Sequence, residues 1–78
     1  MTVRAYILIE TEVGKMGDVA ESISQIEGVK SADLVTGLYD IIAMVEVPDL
    51  NSIGNVVKQV HSTLGVSKTT TCIGVRVS

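Results

Sequence analysis

Val3, Ala5, Ile7 and Ile9 alternate with Arg4, Tyr6, Leu8 and Glu10, and this period of two predicts a first strand over residues 3–10. After a break at 11–14 the period changes. Met16, Val19, Ala20, Ile23 and Ile26 recur three and four apart with polar residues between them, which predicts an amphipathic helix closed by Gly28. Residues 29–36 read as a second, more polar strand and residues 41–47 as a third, stopped by Pro48, which cannot donate to a ladder. Asp49 is placed to cap a second helix over 50–64. Its predicted apolar stripe is Leu50, Ile53, Val57, Val60 and Leu64, with Val56 beside it. Gly65 ends that helix, and residues 66–77 read as a last strand.

The order is βαββαβ, and a weak internal repeat supports it. Ile23 and Val60 each stand five positions before a Gly-Val pair, Gly28-Val29 and Gly65-Val66, and Gly37 and Gly74 follow those glycines at the same interval of nine. Two interleaved βαβ halves predict an α+β, ferredoxin-like domain: a four-stranded antiparallel sheet with both helices on one face. One domain spanning residues 1–78 is all the length allows.

The alternation has a second consequence. If Val3, Ala5, Ile7, Ile9, Ala43, Val45 and Val47 face the helices, then Tyr6, Leu8, Ile42 and Met44 face the other way, where no helix covers them. A chain this short buries only about 60% of its unfolded surface. Yet 46% of its residues are hydrophobic. Exposed apolar patches of that kind are rare on monomers. The expectation is a dimer paired sheet to sheet across a two-fold axis.

Charge and cysteine content narrow the function. Six Lys and Arg are scattered through a chain of net charge −3, so no basic cluster is available to displace counterions from phosphates, and direct nucleic-acid binding is not expected. No apolar run exceeds five residues, so neither a membrane-spanning helix nor a signal-peptide core is expected. Met1 stands almost directly before the first strand, and no targeting segment is expected. The single cysteine, Cys72, fits a reducing compartment, and a cytoplasmic location is expected. Cys72 reads as a small buried apolar side chain, and the lone His61 as a surface or boundary residue of the second helix. One His and one Cys eleven residues apart make no metal site. Gly14-Lys15-Met16-Gly17 lacks both the glycine spacing and the hydroxyl of a phosphate loop. No catalytic constellation, metal or cofactor is expected. Asp33 inside the second strand reads as an edge-strand charge that discourages strand addition.

Two features remain. Thr69-Thr70-Thr71 opens the last strand, where β-propensity alone is a sufficient reason for threonine. Thr36-Gly37-Leu38-Tyr39-Asp40 forms the tip between strands two and three. Turn chemistry explains Gly37, through a positive φ, and Asp40, through bonds to its local backbone. It does not explain Leu38 and Tyr39, two large apolar-bodied groups at an exposed point. On the residues alone, structural and functional readings of the tip both stand.

A βαββαβ chain of this length with Thr-Gly-x-Tyr-Asp between strands two and three resembles the effector-binding (RAM) domain of the Lrp/AsnC transcription regulators. Residues 23–29 resemble the family's helix end and strand start. Thr36-Gly37-Leu38-Tyr39-Asp40-Ile41 resembles its Thr-Gly-x-Tyr-Asp signature, and Leu64-Gly65-Val66 with Thr69-Thr70-Thr71 its ending. Typical members carry an N-terminal helix-turn-helix, for which this sequence has no residues, so the likeness is to stand-alone members. The resemblance implies sheet-paired dimers that assemble into rings such as octamers or decamers, an amino-acid effector bound between dimers, and mixed assembly with helix-turn-helix regulators. It implies ligand-binding residues Gly37, Leu38, Tyr39 and Asp40, with Thr69 and Thr71 as a second wall. Asp40 and tip carbonyls would accept from an α-ammonium, and amides near Gly37 and the threonine hydroxyls would donate to an α-carboxylate. Leu38 and Tyr39 would shield the site and pack on the adjoining dimer. Three other readings share the fold: an ACT-like amino-acid-binding domain using the 13–17 loop, a small dimeric α+β-barrel enzyme, and a ligand-free assembly module.

Overall fold

In the computed structural model, which describes residues 2–75, the six expected elements are present in the expected order. They are β1 (Val3–Thr11), α1 (Met16–Ser24), β2 (Val29–Leu34), β3 (Ile41–Val47), α2 (Leu50–His61) and β4 (Val66–Ile73). The strands form one antiparallel sheet in the order β2-β3-β1-β4, which puts the two apolar strands in the centre and the two polar ones at the edges. Asp33 accordingly lies exposed on edge strand β2.

Strand alternation sorts the two faces as expected. Ala5, Ile7 and Ile9 of β1 and Ala43, Val45 and Val47 of β3 are buried with Val19 and Ile23 of α1 and Ile53, Val56 and Val60 of α2. The opposite face carries rows of paired residues: Met44 beside Tyr6 beside Cys72, and Ile42 beside Leu8 beside Thr70. Leu8, Ile42 and Met44 are half-buried there, and neither helix lies over them among the described residues. Cys72 corrects an expectation. It belongs to this open face and is exposed, because β4 is an edge strand and its neighbour Tyr6 is itself 37% exposed.

Both helices are shorter than their apolar periodicity, for one reason. Their last residues tighten into turns that aim the chain back at the sheet. Ile26 N–H donates to the Ile23 carbonyl and Val29 N–H to Ile26; in the second half Thr63 N–H donates to Val60 and Val66 N–H to Thr63. Gly28 and Gly65 share φ +99. Their carbonyls accept from Glu46 N–H at 2.9 Å and Glu12 N–H at 2.8 Å. The weak sequence repeat is thus an internal two-fold of backbone geometry. Leu64 falls in such a turn and is 91% exposed, while Leu50 lies in the first turn of α2 and is 62% exposed. The buried stripe of α2 is Ile53-Val56-Val60, not the Leu50-to-Leu64 row. Asp49 caps α2 as expected, accepting from Ser52 N–H and Ser52 Oγ at 2.9 Å each.

β2 stops at Leu34 and leaves Val35 and Thr36 to the tip; β4 stops at Ile73, and the remainder of its expected span, from Arg76, lies outside the described residues.

Candidate functional site

The tip, residues 35–40, joins edge strand β2 to central strand β3 and stands beside the C-terminal end of β1. Gly37 sits at φ +119 with open space around it, so conformation rather than crowding favours glycine there. The loop closes when Val35 N–H donates to the Asp40 carbonyl at 2.9 Å, and Asp40 N–H donates to the Ile9 carbonyl at 2.9 Å. Sequence reading placed the Asp40 carboxylate on its own local backbone. Instead it reaches across 29 residues: Oδ2 accepts from Thr11 N–H at 2.8 Å and from Thr11 Oγ1 at 3.2 Å. The reason is topological. β3 turns away at Asp40, just past the last β1–β3 pair, Ile9 with Ile41, and the carboxylate takes the Thr11 N–H that the ladder no longer serves.

The two large tip residues part company. Leu38 is 90% exposed, whereas Tyr39 is half-buried, with its hydroxyl 3.4 Å from Thr70 Oγ1. Thr70 pairs with Leu8 and so belongs to the open face of the sheet. Thr69 and Thr71 pair with the buried Ile9 and Ile7 and share the helix-side face; Thr69 Oγ1 meets His61 Nε2 there. Of the six residues singled out from the sequence, the structure gathers Gly37, Leu38, Tyr39 and Asp40 at one point. It places Thr69 and Thr71 on the other side of β4 from the hydroxyl that Tyr39 meets. Thr11 and Thr70 were missed. Thr11 carries no signal in the linear sequence and Thr70 stands out only as the middle of the Thr69-Thr70-Thr71 run; each reaches the tip only through the folding of the sheet.

Polar contacts at the other end of the sheet are of a different kind. Arg4 Nη2 pairs with Glu46 Oε2 at 2.8 Å on the exposed surface. The Arg4 hydrogen bond holds the Glu46 carboxyl below its ordinary range, and the Ser52 amide does the same for Asp49. Two open grooves lie at that end, about 650 Å³ beside Gly28, Pro48 and Ser52 and about 640 Å³ beside Tyr6, Leu50 and Ile73; neither includes the tip. Among the described residues no group of His, Cys, Asp and Glu could hold a metal, and no helix is long and apolar enough to cross a membrane.

A βαββαβ sheet with both helices on one face, an apolar second face and a tied β2–β3 tip defines a ferredoxin-like α+β domain. Residues 4–77 match the Lrp/AsnC ligand binding domain, and the chain belongs to that family. Among curated proteins none matches it. It is similar to the protein TTHA0845 of Thermus thermophilus, with 30% identity, TM-score 0.91, and coverage of 97% of this chain and 96% of that one. It is also similar to the hypothetical protein PHS023 of Pyrococcus horikoshii, with 30% identity, TM-score 0.86, and coverage of 96% and 92%. The transcriptional regulator NMB0573 of Neisseria meningitidis, solved as a complex with L-Met, shares the fold at 22% identity and TM-score 0.83; 95% of this chain covers 50% of that one.

Proposed function

We propose that this chain is a non-catalytic sensor module of the cytoplasm that takes an amino acid at the 35–40 tip and answers by changing its assembly. The observation that carries the reading is the match of residues 4–77 to a ligand binding domain. The amino-acid class draws support from the fold neighbour solved with L-Met. Sheet-to-sheet pairing draws support from the uncovered rows of Tyr6, Leu8, Ile42 and Met44, and ring formation from the exposed Leu38 at the effector tip. A stand-alone mode of action draws support from TTHA0845 and PHS023, which this chain spans along 96% and 92% of their length. Mixed assembly with helix-turn-helix relatives would then couple effector binding to DNA affinity as a shift between oligomeric states.

The site in this reading is Gly37, Leu38, Tyr39 and Asp40, with Thr69 and Thr71 of β4 contributing from its helix-side face. A thermal-shift screen across the twenty amino acids, with native mass spectrometry of the same samples, tests it. A ligand at a hundred times its Kd adds about 2.7 kcal/mol of apparent stability. At least one amino acid is expected to raise Tm and alter the oligomer distribution, and Asp40→Ala is expected to abolish that response while the dimer persists. A flat response across all twenty overturns the reading.

A further inference from the structure

Asp40 is the one carboxylate at the tip, and its two oxygens are in different situations. Oδ2 receives both the N–H and the hydroxyl of Thr11, whereas Oδ1 has no partner among the described residues. An aspartate's terminal torsion is broad, so a single donor on one oxygen leaves the carboxylate plane free to swing about that contact. A second donor on the same oxygen fixes the plane and, with it, the direction in which the other oxygen points. Thr11 stands where this can be done. It follows a register shift in the β1–β4 ladder, where Glu10 pairs with Lys68 but Thr11 with Val66, and the skipped Ser67 is stitched to the Glu10 carbonyl by its hydroxyl at 3.0 Å. Such irregularities re-aim the residues beside them.

We infer that Thr11 is the positioning residue of the effector site: by holding Oδ2 of Asp40 it presents Oδ1 as a single fixed acceptor for a primary ammonium. The inference rests on the effector reading above, including its pairing of Asp40 with an ammonium, and adds to it the residue that sets the acceptor's direction. Thr11 touches Asp40, not the ligand. It sets which way the acceptor faces before the ligand arrives, so the cost of orienting it does not fall on binding.

Thr11→Val removes the hydroxyl, keeps the N–H and nearly keeps the shape; Thr11→Ser restores the hydroxyl. The probes are the twenty free L-amino acids and their N-acetyl derivatives, which retain carboxylate and side chain but lose the ammonium. For whichever amino acids bind the wild type, Thr11→Val is expected to weaken affinity about three- to tenfold, roughly the net worth of one ordinary hydrogen bond, since Thr11 acts on the ligand only through Asp40. Thr11→Ser should return to wild type, and the N-acetyl forms should not bind. Hydrogen exchange on ligand-free protein should show the Val35 and Asp40 amides faster in Thr11→Val and restored in Thr11→Ser. Equal affinities for wild type and Thr11→Val overturn the positioning role, and a lowered Tm with affinity intact does the same. Binding of the N-acetyl forms overturns the ammonium assignment. If no amino acid binds the wild type, the effector reading fails on its own, and unaltered exchange of the tip amides in Thr11→Val then overturns the hold on Asp40 as well.

Discussion

The two faces of the sheet are cut from the same two central strands but are finished differently. On the helix side Ala5, Ile7, Ile9, Ala43 and Val45 have no exposed surface at all. One residue along in each strand, Tyr6, Leu8, Ile42 and Met44 keep part of their surface open. The first set is closed within the chain, since each helix leaves one strand of its βαβ half and packs on the shared sheet, touching strands of both halves. The second set cannot be closed from within, because right-handed crossovers deliver both helices to the same side. Stability of the single chain therefore resides on one face, and the sheet-to-sheet assembly proposed above would use the other. The tip is the place where the chain crosses from strand to strand at the margin of both.

The widest contrast comes from truncating the two faces in turn. Ile7→Ala empties a fully buried site and is expected to cost about 2–5 kcal/mol, read as a lowered denaturant midpoint. Met44→Ala should change the monomer by about 0.5 kcal/mol or less. It should instead weaken dimerisation in sedimentation, and Met44→Lys should abolish it. Equal losses of monomer stability from Ile7→Ala and Met44→Ala would erase the distinction between the faces.

Glycines sharpen the comparison at a smaller scale. Gly65 and Gly37 both have positive φ, but a Cβ on Gly65 would lie 2.7 Å from Val19 Cγ2 whereas one on Gly37 meets nothing within 4 Å. Gly37→Ala carries only backbone strain, about 1–2 kcal/mol. Gly65→Ala adds overlap against α1 and should cost about 2–4 kcal/mol by chemical denaturation.

The smallest effect belongs to the α2 cap. The amide and hydroxyl of Ser52 hold the Asp49 carboxyl below its ordinary range in the folded chain. A depressed folded value means that the cap's contribution is complete above the unfolded aspartate value and is lost as pH falls through the folded one. Asp49→Ala should lower Tm slightly at neutral pH. The gap between variant and wild type should close on the acid side of the ordinary aspartate range, and a constant gap would break the assignment.

Much of this protein was legible in its sequence because short periods report on local geometry. Alternation in 3–10 and 41–47 specified which residues face the helices and Asp49 announced its own cap, whereas Gly28 and Gly65, read as helix ends, stand three residues beyond the C-caps Gln25 and Ser62, in the turns that return the chain to the sheet. Errors arose where a residue's surroundings are set by remote partners. Cys72 looked buried because its neighbours are β-branched, and only the strand order makes β4 an edge. Leu50 and Leu64 fit the helical period yet lie past the reach of the sheet. The tip followed the same rule. Gly37 was readable as a turn residue, while the partner of Asp40 lies 29 positions away in β1.

The sequence by itself determined the elements, the inward face and the place of the tip, since each depends on residues within a turn or two of one another. Only the tertiary structure decided that Asp40 is tied to Thr11, that Tyr39 meets Thr70 rather than Thr69 or Thr71, and that Cys72 joins the open face beside Tyr6. Those outcomes depend on which strands lie side by side, and strand pairing joins residues whose separation along the chain carries no periodic signal.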